Sequence, residues 1–112
     1  MIKFFYKRII KKLNLSRDQL EELKSKLSPD NICAGPFIFE GKMCPTTTAL
    51  ALKIHCSEFT DASKVRAQFR SFGINRADLL FLYIVFDFPS MFSERFFRYS
   101  LEQMKYAVDI IT

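Results

Sequence analysis

The sequence has no tryptophan, one histidine, three glycines, four prolines and three cysteines, and its longest apolar run, Leu79 to Phe86, is eight residues. That run is far short of the roughly 18 to 20 apolar residues a membrane-crossing helix needs, so no span is expected. Three cysteines are an odd number without framework spacing, which excludes a disulfide-stapled secreted scaffold and sets the expectation of a reduced, cytoplasmic location. His55 is the lone histidine and has no Ser or Cys elbow motif near it, so a catalytic triad is unsupported. There is no Gly-rich phosphate loop, no Cys-x₅-Arg and no His-x-Glu pair. The carboxylates are scattered and fall mostly in capping or i,i+4 positions. Nothing in the residues supports an enzyme, and no cofactor is expected.

Acidic residues are missing from the first 17 positions, which hold Lys3, Lys7, Arg8, Lys11, Lys12 and Arg17. The rest of the chain has eleven bases against twelve acids, so the net charge of +5 belongs to a basic arm on a near-neutral body. The arm interleaves its bases with apolar residues, and no long apolar region or small-residue cleavage site follows it. It is not expected to be a secretory signal.

Hydrophobic residues make up 49% of the 112-residue chain, too many for a disordered polymer. Thirteen of them are phenylalanine, more apolar bulk than a chain of this length readily hides, which points to a surface covered by a partner. The length suits one domain, 1–112, with a core that needs no staples.

Periodicity reads mostly as helix. At about 100° per residue, Ile2, Phe5, Tyr6, Ile9, Ile10 and Leu13 fall on one face of a basic amphipathic helix over 1–15, and the bases on the other with Phe4 among them. Asn14-Leu15 ends it. Ser16 with Gln19 then forms a capping box, with Leu15 and Leu20 as its hydrophobic staple. Leu20, Leu23 and Leu27 give a narrow stripe that Ser28-Pro29 stops. Residues 28–45 are irregular, and Pro36 to Met43 can form a short hairpin around Glu40-Gly41-Lys42. A helix is expected from Pro45 to His55, with Pro at the first position. Another begins at Thr60 or Asp61, with Ala62, Val65, Phe69 and Phe72 inward and Gly73 after its end. Asn75 and Asp78 repeat the capping pattern, with Ile74 and Leu79 as staple. The segment that follows, Leu79 to Phe86, is apolar on all sides and reads as a buried central helix. Phe88-Pro89-Ser90 is expected to break the chain before a last helix. The fold class is therefore all-α: a compact, helix-dominated single-domain bundle of about five or six helices, with one irregular segment or hairpin at about 30–44.

"FIFEGKMCPTTT" resembles the peroxiredoxin segment in which an F-x-F stretch leads to Cys-Pro-Thr. That family has Thr or Ser three residues before the cysteine and Pro four before that. Here those positions are Gly41 and Phe37, and the chain is too short for a thioredoxin-like sheet, so peroxidase chemistry is not expected. A cysteine ahead of a helix N-terminus can become a thiolate, but Cys44 is read as structural. A zinc site would have to use Cys33, Cys44, His55 and Cys56. Their wide spacing, and the divergence of adjacent His55 and Cys56 on a helix, do not suit the paired ligands of structural zinc. The cysteines are read as small buried hydrophobes, and no metal is expected.

What is left is surface. The arm residues Lys3, Lys7, Arg8, Lys11 and Lys12 could meet an acidic protein, an anionic membrane surface or nucleic acid. Charge reversal at Lys7, Arg8, Lys11 and Lys12 is expected to spare the fold. Nucleic acid comes last, because a helix-turn-helix around Gly73 would present mostly Leu, Phe and Ile to the bases. On the last helix Phe97, Leu101, Met104, Val108 and Ile111 suffice to face the core, and Phe92, Tyr99, Tyr106 and Ile110 form a second, partner-facing stripe. The expected function is a non-enzymatic protein–protein interaction module, a regulatory adaptor or small accessory subunit. Its partner would be another protein or a second copy, and its location cytoplasmic or peripheral to a membrane.

Overall fold

In the computed structural model, which describes residues 2–35, 37–39, 41–56, 59 and 61–111, the N-terminal amphipathic pattern becomes helix α1 (Ile2–Leu13). Its stripe of Ile2, Tyr6, Ile9, Ile10 and Leu13 is buried. Helix α2 (Arg17–Lys26) starts on the expected capping box: the Ser16 hydroxyl accepts from the Gln19 amide at 3.1 Å, and the Gln19 side chain accepts from the Ser16 amide at 2.9 Å. Strands β1 (Ile38–Phe39) and β2 (Lys42–Met43) pair antiparallel, Ile38 opposite Met43 and Phe39 opposite Lys42. Gly41 supplies the left-handed φ of 77° that this tight turn requires. Glu40, expected in the turn, and Pro36 and Thr60 lie outside the described residues.

Helix α3 (Pro45–Ile54) follows with Cys44 as its N-cap, and α4 (Ala62–Ser71) is capped by the Asp61 carboxylate, which accepts from the Ser63 amide at 2.8 Å. Helix α5 (Arg76–Leu82) begins on the Asn75–Asp78 capping box. It continues through a π-helical turn (Tyr83–Asp87) into α6 (Phe88–Phe92), and α7 (Glu94–Ile111) follows. Because 76–92 is one continuous helical run, the described residues form a six-helix bundle with a two-strand hairpin.

Two expectations change. Pro89 does not break the chain. The Phe88 amide donates to the Tyr83 carbonyl five residues back, so the ladder is already widened where Pro89 lacks an N–H and its ring would crowd a carbonyl. The break comes at Ser93, whose hydroxyl accepts from the Phe96 amide at 3.1 Å. The second change concerns Leu79 to Phe86, which is not a buried central helix. Leu82 and Phe86 are buried, but Leu80 and Ile84 stand in solvent.

The core lies between α1, α3 and α7, and the most extensive packing is α1 against α7. Ser100 and Ala107, both fully buried on α7, are small enough to let a neighbouring helix approach closely. The fully buried Tyr6 crosses from α1 to α3, where its hydroxyl donates to the Pro45 carbonyl at 3.2 Å.

Candidate interaction surface

The five bases of the arm do not act alike. Lys12 turns toward the α4–α5 corner, where its Nζ donates to the Gly73 carbonyl at 3.0 Å and to Asp78 Oδ2 at 3.3 Å. Arg8 reaches Asp78 Oδ1 at 3.5 Å. Asp78 already serves the α5 capping box, so one nearly buried carboxylate holds a helix start and two bases together. Lys3 lies over two rings, Phe4 at 5.3 Å and Tyr106 at 4.9 Å, and so ties α1 to α7. Among the described residues Lys7 and Lys11 have no ion pair. They are the free cations of the arm.

The expectation that reversing Lys7, Arg8, Lys11 and Lys12 would spare the fold is therefore corrected at Lys12. Lys12→Glu would place a second carboxylate against Asp78 and leave the Gly73 carbonyl without its donor. It is expected to cost about 2 kcal/mol in chemical denaturation, and Lys11→Glu less than about 0.5 kcal/mol. Equal effects of the two would show that the Lys12 contacts contribute nothing.

Beside α1 runs the helix 76–92. The Phe5 and Phe81 rings meet at 4.1 Å, and the Arg8 and Lys12 bonds to Asp78 fix the same side-by-side arrangement. At the edge of this seam and beyond it the run exposes Phe81, which is partly covered by Phe5, and Leu80, Ile84, Phe88, Met91 and Phe92, with Ile84 59% and Phe92 75% accessible. The spacing Phe81, Ile84, Phe88, Phe92 would follow one helical face, and the π turn lets it continue past Pro89. Ring contacts run along it, Tyr83 to Phe88 at 6.1 Å and Phe88 to Phe92 at 5.1 Å. Phe4, 63% accessible, adds a further ring from α1.

On the opposite flank of α1 stand Tyr99, Tyr106 and Ile110 of α7, all exposed. Phe92 does not share their helix. It ends α6, before the break at Ser93, and meets the Phe88 ring edge-on, so the expected four-residue stripe divides into two groups. Sequence reasoning missed Leu80, Phe81, Ile84 and Phe88 as surface residues. The available signal was the surplus of phenylalanine over what a small core can hold.

The cysteines are placed by packing. Cys44 is buried at the α3 N-terminus, where its Sγ accepts from the Thr47 amide at 3.5 Å and lies 3.2 and 3.1 Å from the Thr46 and Thr47 hydroxyls. Burial pushes its thiol up to about 12, with the neighbouring Asp87 adding to the rise. A thiol so placed is a neutral cap, since desolvation outweighs the helix N-terminus that would favour a thiolate. Cys33 is also buried and its pKa raised, while Cys56 is half-buried. Cys56 and His55 lie at the far end of α3 from Cys44, with His55 in the left-handed C-cap conformation at φ 56°. Among the described residues no group of three or more His, Cys, Asp or Glu side chains could hold a metal ion, and no helix is long and apolar enough to cross a membrane. No family model matches the chain, and no curated protein or solved structure is significantly similar to it.

Proposed function

We propose that the protein is a non-enzymatic interaction module, an adaptor or small accessory subunit, that docks an acidic amphipathic helix of another protein. The docking face is the outer side of α1 together with the helical run 76–92. The observation that carries this reading is that six large apolar side chains of one 17-residue run are exposed beside the unpaired Lys7 and Lys11. An apolar strip of such length on a lone domain is a standing cost in water that a partner would remove. Anchors at three- and four-residue spacing suit a helix laid along them, and the free cations favour acids along its flank.

A second copy on the same face would set Lys7 and Lys11 against their own like charges. The test is photocrosslinking in the native cell, with the reactive group at position 84 and, separately, at position 4. The expected product is one acidic, amphipathic peptide from a different protein, lost when Lys7 and Lys11 are both changed to Glu. Crosslinks to the chain itself, to lipid, or to nothing at all would each overturn the reading.

A further inference from the structure

A cleft of about 250 Å³ lies between α3, α4 and the 76–92 run, away from the seam with α1, and its lining is mostly apolar. Its two ends differ. At the solvent end Arg66 and Arg76 stand on the rim and, with Arg70, also line an adjoining opening of about 140 Å³. Among the described residues none of these three arginines is in an ion pair, and Arg66 is steadied instead over the Phe37 ring at 5.8 Å. At the inner end is Asp87, only 8% accessible, carried inward by the π turn. The neighbouring Cys44 has its sulfur engaged by Thr46 and Thr47. The Asp87 carboxyl has no hydrogen-bond partner among the described residues, yet its oxygens are not sealed from the cleft. A buried polar group left open to a cavity is costly unless something else completes it.

We propose that this cleft binds a small organic phosphate monoester. Arg66, Arg70 and Arg76 hold the dianionic head, the apolar wall at Leu79 and Tyr83 takes the body, and Asp87 hydrogen-bonds a hydroxyl at the far end. Three guanidiniums match the charge and the several acceptor oxygens of a phosphate better than the single charge of a carboxylate. Burial pushes Asp87 up to about 8, so near pH 7 it is mainly a neutral acid that can both donate and accept, and it does not repel the anion. Leu80 lines the cleft and also belongs to the docking face, but the arginines and Asp87 that hold the ligand's two ends lie outside that face, so either reading can fail alone.

Calorimetric titration of the full chain with inorganic phosphate, phenyl phosphate, 4-hydroxyphenyl phosphate and benzoate at fixed ionic strength is the test. Phenyl phosphate is expected to bind about tenfold more tightly than inorganic phosphate, through burial of its ring. The 4-hydroxyl should add about threefold or more. Benzoate should bind more weakly than phenyl phosphate. Arg66→Ala with Arg76→Ala should weaken both aryl phosphates about tenfold. Asp87→Leu should erase the gain from the hydroxyl while leaving phenyl phosphate within about twofold. Should that variant not fold, the Asp87 carboxyl ¹³C shift of the wild type is read instead, and it should respond to 4-hydroxyphenyl phosphate but not to inorganic phosphate. Affinity for phenyl phosphate no greater than for inorganic phosphate would overturn the site. So would a hydroxyl gain that survives Asp87→Leu, an unmoved Asp87 shift, or benzoate binding as tightly as phenyl phosphate.

Discussion

Raising the pH from about 4 to about 8 is expected to destabilise the wild-type protein steadily, and Asp87→Asn should remove most of that decline. The cause is the buried carboxyl in the π turn. Desolvation raises its pKa from 3.8 to about 8 in the folded chain, and no cation among the described residues opposes it. When the chain unfolds the group returns to its ordinary range and gives up its proton throughout the interval between those two values. The unfolded state then binds fewer protons than the folded one, so stability falls as pH rises, by at most about 1.4 kcal/mol per pH unit. Below the unfolded pKa both states are protonated and the penalty vanishes. Above about 8 both are ionised and the penalty is full and constant.

The groups around Asp87 do not share this interval. Cys44 and Cys33 are neutral thiols through it in the folded state because burial raises each, and in the unfolded state because an ordinary thiol gives up its proton above this interval. Asparagine matches the shape of the protonated acid and has no charge to release. Thermal melts of both proteins from pH 4 to pH 9 should coincide at the acid end and separate by about 10 °C or more at pH 8. Parallel curves would mean that Asp87 ionises freely in the folded protein.

Asp87 could not have been found from the sequence, and the reason is physical. It follows an apolar run and precedes Phe88-Pro89, where an acid reads as a solvated residue near a helix end. Only the extra residue taken up by the π turn rotates it inward, and π turns leave no compositional mark. Local capping was legible for the opposite reason. Ser16 with Gln19 and Asn75 with Asp78 close on themselves within one turn, so the sequence contains the whole interaction. The inward stripes of α1 and α7 were legible too, because a 3.6-residue period records which side faces the core. The arm was only half legible. Periodicity puts Lys12 on the polar side, but its bonds to Gly73 and Asp78 depend on a corner more than sixty residues away in the chain.

The helical run 76–92 is where periodicity was silent, since a segment apolar on every side does not say which side is covered. Ile84 and Phe86 now separate the two answers. They are two residues apart, equally hydrophobic in character, and 59% and 2% accessible respectively. Phe86 packs its ring 6.3 Å from that of Phe97 on α7, inside the buried cluster. Phe86→Ala leaves a cavity that helices on both sides cannot close, and is expected to cost about 3 to 5 kcal/mol in guanidinium unfolding. That is a large share of the roughly 5 to 15 kcal/mol that holds a domain together, so the variant should be partly unfolded at 37 °C. Ile84→Asp puts a charge where Phe86 could never tolerate one, yet it should change stability by no more than about 0.5 kcal/mol, because the side chain is already in water. The same substitution should abolish partner capture if the exposed strip is the docking face, so a folded protein that no longer crosslinks from position 4 is the expected phenotype. An Ile84→Asp protein as unstable as Phe86→Ala would place the strip in the core and remove the reason to look for a partner there.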